Sequence, residues 1–169
     1  KLKDTEGIVK LINSFDDSSF EARNIGKAAK LYHQRLRTDT SIIWSLSGSL
    51  FSAGLRQITI DAIRKNCVDV LVCTGALFEQ DMLEALGHKH YKCDPRLDDS
   101  ELQDLMVDRV YDHLLDEVAL RQVDLTFKEI AKAIPDGTYS SRKFMEHCGE
   151  WLSETENVED SVMQAAFEK

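Results

Sequence analysis

Two short runs of small and hydroxyl-bearing residues are where chemistry would sit in this sequence: Ser47-Gly48-Ser49-Leu50-Phe51-Ser52-Ala53-Gly54 and Thr74-Gly75-Ala76. Each follows an apolar, β-branched run and precedes a helical pattern. In open parallel sheets that junction, beyond the C-terminal end of a strand, is where ligands bind. Small residues let a ligand approach the backbone, and a helix N-terminus presents N–H groups and a positive dipole end to a phosphate. Ser and Thr hydroxyls add hydrogen bonds to ribose or phosphate. Neither run is a G-x-G-x-x-G fingerprint, and small residues at such a turn also serve tight strand–helix packing. Glu79-Gln80-Asp81 follows the second turn, in what reads as the first turn of its helix. Acidic side chains there complement the helix dipole, or pair with the ammonium groups of a cationic ligand lying over the strand ends.

Other chemistries find less support. His88-Lys89-His90-Tyr91-Lys92-Cys93 matches no common zinc spacing, so no metal site is expected. Cys67, Cys73, Cys93 and Cys148 form no C-x-x-C pair, which fits a reducing cytoplasmic setting. Thirty acidic against 21 basic side chains leave a formal net charge of −9. That disfavours nucleic acid as a partner and suits a cationic substrate or a basic protein. The apolar share of 43% and charged share of 30% are those of an ordinary globular domain. No apolar run reaches the roughly 20 residues that a membrane span needs.

The elements that would position these residues follow from periodicity. A short helix is expected over Asp4–Asn13 and a longer one from about Phe20 to Leu36, with Phe20, Ile25, Ala28, Ala29, Tyr32 and Leu36 at helical spacing. Residues 1–39 therefore read as an N-terminal helical segment and 40–169 as part of an α/β domain. Ser41–Leu46 and Val68–Cys73 read as strands, the second buried on both faces, with a crossover helix from about Ser49 to Lys65 between them. Further helices are expected over Phe78–Leu86, Ser100–Val118, Phe127–Ile134, Ser140–Leu152 and Val158–Phe167. Two strands make too small a parallel sheet for a whole doubly wound domain, so either further strands lie unrecognised in the sequence or the remaining strands belong to another polypeptide.

The motifs also resemble a known family. Phe20-Glu21-Ala22-Arg23-Asn24-Ile25-Gly26-Lys27-Ala28 is similar to the F-x-A-x-x-(L/F)-G-x-A signature of deoxyhypusine synthases. Ser47 to Arg56 resembles their S-x-x-L-x-S-x-G-(I/L)-R stretch, and Val68 to Gly75 their V-D-V-L-V strand and turn. Gly87-His88-Lys89-His90-Tyr91-Lys92 is similar to a loop of the shorter, archaeal-type members. The resemblance implies a Rossmann-like parallel sheet with helices on both faces. It also implies an NAD-dependent transfer of the aminobutyl group of spermidine, by way of an active-site lysine, to a lysine of the hypusine-bearing translation factor, in a tetramer. Carried over residue by residue, Gly48, Ser49, Leu50, Phe51, Ser52, Thr74, Gly75, Ala76 and Gln80 would contact NAD, and Glu79 and Gln80 the spermidine. Two departures stand out. Gln80 occupies a position where the family commonly has an acid. The family's catalytic lysine lies in a C-terminal half to which nothing here corresponds, so no catalytic residue is assigned and a second, C-terminal chain is the expected partner. The alternatives are a catalytically impaired regulatory paralogue, motivated by Gln80, and a homospermidine-synthase-like enzyme whose acceptor is a small polyamine.

Overall fold

The computed structural model describes residues 5–169, so Asp4 of the first expected helix lies outside it. The chain divides into two compact units, residues 1–42 and 43–169. In the first, α1 (Thr5–Ser14) runs into a 3₁₀ turn (Phe15–Asp17) and α2 (Phe20–Arg35). Gly26 is what lets α2 lie against that turn. A Cβ at this position would sit 2.9 Å from the Asp16 backbone nitrogen and 3.2 Å from the Phe15 carbonyl carbon. The apolar stripe of α2 is largely exposed, with Phe20 at 90%.

The second unit opens with the expected strand–helix–strand crossover. β1 (Ile43–Leu46) pairs in parallel with β2 (Val70–Cys73), in the register Ile43 to Val70 through Leu46 to Cys73. Their connection is a π-helical turn (Phe51–Leu55) followed by α3 (Arg56–Arg64), where one continuous helix was expected. The break falls at Gly54, whose φ of +88° is left-handed and costs an ordinary side chain strain. Burial of β2 on both faces is not what the structure has. Val70 and Val72 are 46% and 52% exposed, because α3, α4 and α8 cover the opposite face only. Helices on both faces of this sheet are likewise not found among the described residues.

α4 (Gly75–Ala85) starts three residues earlier than expected and lies at the centre of the unit. Leu77 joins a core with Phe51, Ile60, Ile63, Val162 and Ala165, while Met82, Leu83 and Ala85 join a second with Leu115, Ala119, Val123, Ile130, Cys148 and Leu152. The stretch expected as one helix over Ser100–Val118 is instead α5 (Asp99–Asp104), β4 (Val107–Val110) and β5 (His113–Asp116), with β3 (Tyr91–Lys92) completing an antiparallel sheet ordered β3-β5-β4. Leu102, Leu105, Met106, Val110 and Leu114 mimic a helical stripe. The chain nevertheless turns twice through left-handed backbone, at Met106 and Tyr111, both with φ of +56°.

α6 (Glu117–Ala133) is a single helix that begins ten residues before the one expected at Phe127. The Asp116 carboxylate caps it, accepting from the Val118 and Ala119 N–H groups at 2.8 and 3.3 Å. Ala119, Val123, Thr126 and Ile130 form its buried stripe. α7 (Ser141–Glu154) and α8 (Val162–Phe167) close the unit. They meet at Gly149, where a Cβ would lie 2.5 Å from the Met163 carbonyl oxygen and 2.6 Å from the Phe167 Cβ.

Candidate functional site at the parallel strand ends

Parallel pairing of β1 with β2 brings Leu46 opposite Cys73, so the two small-residue turns leave the sheet at the same edge. After β1 the chain passes Gly48 in the left-handed region (φ +74°) and enters the π-helical turn, whose Leu55 N–H donates to the Leu50 carbonyl at 3.1 Å. After β2, Thr74 stands at the N-cap of α4 in extended backbone, and its hydroxyl makes no cap hydrogen bond. A Cβ built at Gly48, Gly54 or Gly75 would meet no heavy atom within 4 Å, so the space over all three is open.

The turns are tied together. The Ser52 backbone N–H donates to Gln80 Oε1 at 3.1 Å, an internal hydrogen bond between the π-helical turn and α4. Gln80 is 4% exposed. The Ser52 hydroxyl is buried and has no hydrogen-bond partner. Buried hydroxyls are normally satisfied, so this one is suited to a polar ligand entering the turn.

Below the turns lies a buried polar layer. Asp81 is fully buried and accepts four hydrogen bonds: from Arg56 Nε at 2.7 Å, Ser161 Oγ at 2.9 Å, and the Val162 and Met163 N–H groups at 3.0 Å each. Arg56 Nη1 reaches Glu84 Oε2 at 3.3 Å, and Nη2 donates to the Asp160 carbonyl. Glu84 in turn faces His90 Nδ1 at 3.0 Å. Burial would push the Glu84 carboxyl up, but the His90 hydrogen bond and the charges of Arg56, His90 and Lys89 hold it below the usual range.

Glu79 has different surroundings from its neighbour Gln80. It is half-buried, and burial, followed by the carboxylates of Asp124, Asp108 and Glu117, pushes its pKa upward. Asp108 is also pushed up, chiefly by its hydrogen bond with Glu117, then by burial. A cation near Glu79 would relieve that repulsion. Two thiols are held protonated: burial, then the Asp81 charge, raises Cys73 to about 11, and burial raises Cys148 to about 12.

The structure thus brings together Gly48, Ser49, Leu50, Ser52, Thr74, Gly75, Ala76 and Gln80. It separates the jobs of other expected residues. Phe51, 1% exposed, is a core side chain beside Ile60, Ile63 and Leu77, so only its backbone belongs to the turn. Glu79 and Gln80 lie in the second turn of α4, not its first, because the helix begins at Gly75. Gln80 turns inward to Ser52 while Glu79 remains half-exposed. His90, considered for a metal, pairs with Glu84, and among the described residues no three His, Cys, Asp or Glu side chains gather as a metal site. Sequence reasoning grouped Asp81 with Glu79 and Gln80 as a helix-start or cation-pairing residue and missed its buried role, and it missed Glu84 and Ser161 altogether. A signal was present, since Asp81 is a charge followed by Met82-Leu83 on an apolar helix face.

The turns offer open space at three glycines, one unsatisfied buried hydroxyl and the start of α4, groups of the kind that a phosphate or ribose can use.

Comparison with known proteins bears on the family of the chain. The family model described as deoxyhypusine synthase matches residues 10–169. A deoxyhypusine synthase-like protein of Chlorobaculum tepidum is 41% identical over 96% of this chain and 47% of its own length. One from Coxiella burnetii is 37% identical over 94% of this chain and 46% of its own. A probable deoxyhypusine synthase 2 of Methanosarcina acetivorans is 32% identical over 95% and 47% respectively. The chain spans about half the length of the curated relatives it matches.

Proposed function

The chain belongs to the deoxyhypusine synthase family, and we propose that it supplies the N-terminal part of an NAD-dependent aminobutyltransferase acting on spermidine. The acceptor in this reading is a lysine of the hypusine-bearing translation factor. The observation that carries it is the junction of the two strand-end turns, locked by the Ser52 N–H to Gln80 Oε1 hydrogen bond and open over Gly48, Gly54 and Gly75. Bound there, NAD would supply hydride acceptance and return. Gly48, Ser49, Leu50, Thr74, Gly75 and Ala76 hold it by close backbone approach, and the Ser52 hydroxyl takes one of its polar atoms. The Phe51 backbone continues the turn while its ring anchors it in the core.

Glu79 faces the ammonium end of spermidine. Burial, then the neighbouring carboxylates, holds its free carboxyl up, and those like charges favour a cation. In this reading the nucleophilic lysine, the remaining strands of the sheet and the rest of the cofactor site belong to the C-terminal half of the family's enzymes, and the enzyme is a tetramer. The assay is transfer of label from spermidine to the acceptor protein by the purified native enzyme that contains this region, with NAD. Transfer that needs NAD supports the reading. An enzyme that transfers nothing to either the translation factor or a free diamine refutes it, and transfer to the diamine alone moves the protein to the homospermidine-forming alternative.

Gln80 bears on the regulatory-paralogue alternative. Its side-chain oxygen accepts a backbone N–H, a task that a glutamine performs as well as a glutamate. The aminobutyltransferase reading therefore expects Gln80→Glu to leave transfer within about threefold of the parent. A chain without activity of its own in either form, which raises the rate of an active partner, would favour the paralogue.

A further inference from the structure

We infer that Asp81 is a positioning residue that couples the C-terminal helix α8 to the strand-end turn over residues 51–55. Two neighbouring side chains of α4 grip that turn at both ends. Gln80 takes the Ser52 N–H near its start at 3.1 Å, and Asp81 takes Arg56 Nε just past its end at 2.7 Å. The other bonds to the Asp81 carboxylate all come from α8 and its cap: Ser161 Oγ at 2.9 Å and the Val162 and Met163 N–H groups at 3.0 Å. Arg56 adds a direct tie to the Asp160 carbonyl, immediately before the Ser161 cap.

One buried carboxylate is thereby shared between the turn and a helix 80 positions further along the chain. The arrangement has little slack. Asp81 is fully buried, Ser161 is fully buried, and the guanidinium between them is nearly so. A fully engaged buried network holds one geometry, because each displaced member leaves another without its partner in a low-dielectric interior. Movement of α8 therefore reaches Ser52 through two side chains, Asp81 and Arg56, with no change in the sheet. Gly149 strengthens the coupling, since α7 packs on Met163 and Phe167 with no room for a Cβ.

Resting on the reading of the turn as a cofactor site, α8 becomes a determinant of NAD affinity although none of the residues assigned to the cofactor belongs to it. Its test uses Ser161→Ala, which removes one Asp81 bond and the hydroxyl that caps Gln164 N–H at 3.2 Å, with Ser161→Thr as the variant that keeps the hydroxyl. Hydrogen exchange on the purified native protein reads the coupling without cofactor. In Ser161→Ala, amides of both α8 and residues 51–55 are expected to exchange about 10-fold faster, while those of α6 stay within about twofold, and Ser161→Thr restores the parent rates. In the active assembly the Michaelis constant for NAD rises about five- to tenfold with kcat changed less than about threefold. Faster exchange confined to α8 would overturn the inference, and so would an equal rise in α6, because Asp81 would then hold α8 alone or the whole unit. A parent protein that binds no NAD would remove the cofactor reading, and the exchange result would still decide whether α8 and the turn are coupled.

Discussion

Asp81→Asn is the most informative perturbation of the buried layer. The substitution keeps the shape and one acceptor oxygen, but it turns an NH₂ group toward donors and strips the buried Arg56 guanidinium of its nearest counter-charge at 2.7 Å. Breaking a buried ion pair by removing one partner costs about 3–5 kcal/mol. Glu84, at 3.3 Å from the same guanidinium and only partly exposed, retains some of the compensation, which places the expected loss near about 3 kcal/mol. Arg56→Met should cost less, because Asp81 keeps Ser161 and two backbone N–H donors. The double variant should be less damaged than the sum of the singles, with a coupling of about 1–3 kcal/mol. Urea unfolding followed by tryptophan fluorescence suits the measurement, since Trp44 and Trp151 both lie in the 43–169 unit. With a slope of about 2 kcal/mol per molar, Asp81→Asn should lower the midpoint by about 1.5 M. A loss under about 1 kcal/mol, or additive single effects, would refute the view that this pair is a coupled element of the fold.

Three further expectations follow from specific contacts. Gly149→Ala drives a methyl group into the Met163 carbonyl and the Phe167 Cβ, so it should cost about 1–3 kcal/mol by thermal unfolding. Gln80→Leu leaves the buried Ser52 N–H without its acceptor and should cost about 1–3 kcal/mol, whereas Gln80→Glu retains an acceptor and should lie closest to the parent at acid pH, where its buried carboxyl is uncharged; equal behaviour of the two there would disprove the role. Glu79 holds its proton more tightly in the folded chain than in the unfolded one, so its stabilising contribution is complete below the ordinary carboxylate range and fades as pH rises through the raised value. Glu79→Gln should therefore gain stability over the parent between about pH 4 and about pH 7, and a parallel pH dependence in melting temperature would show that the shift is absent.

How far the fold and site could be read in advance depended on how local the deciding physics is. β1, β2 and their crossover were legible because continuous β-branched runs flanking a helical period are short-range patterns. The strand-end turns were legible for the same reason, as glycines at 48, 54 and 75 sit where the backbone must turn or stay open. The hairpin of β4 and β5 was not. Leu102, Leu105, Met106, Val110 and Leu114 satisfy a helical period, and only pairing of Val107–Val110 with His113–Asp116 and of Tyr91 with Leu114 selects the strands. α6 was cut short in the reading because Asp116 is recognisable as its cap only once β5 ends directly before it.

The sequence by itself determined the family, the βαβ order and the residues that line the two turns, since each of these is written in motif and spacing along a few consecutive positions. Tertiary structure alone decided what the side chains do. It turned Gln80 inward to Ser52 while leaving Glu79 among like charges, buried Phe51, exposed Val70 and Val72, and joined Asp81 to Ser161 across 80 positions. The reason is physical: backbone periodicity is set by neighbours a few residues apart, whereas the partner of a buried polar group is chosen by whichever distant segment can satisfy it once water has been excluded.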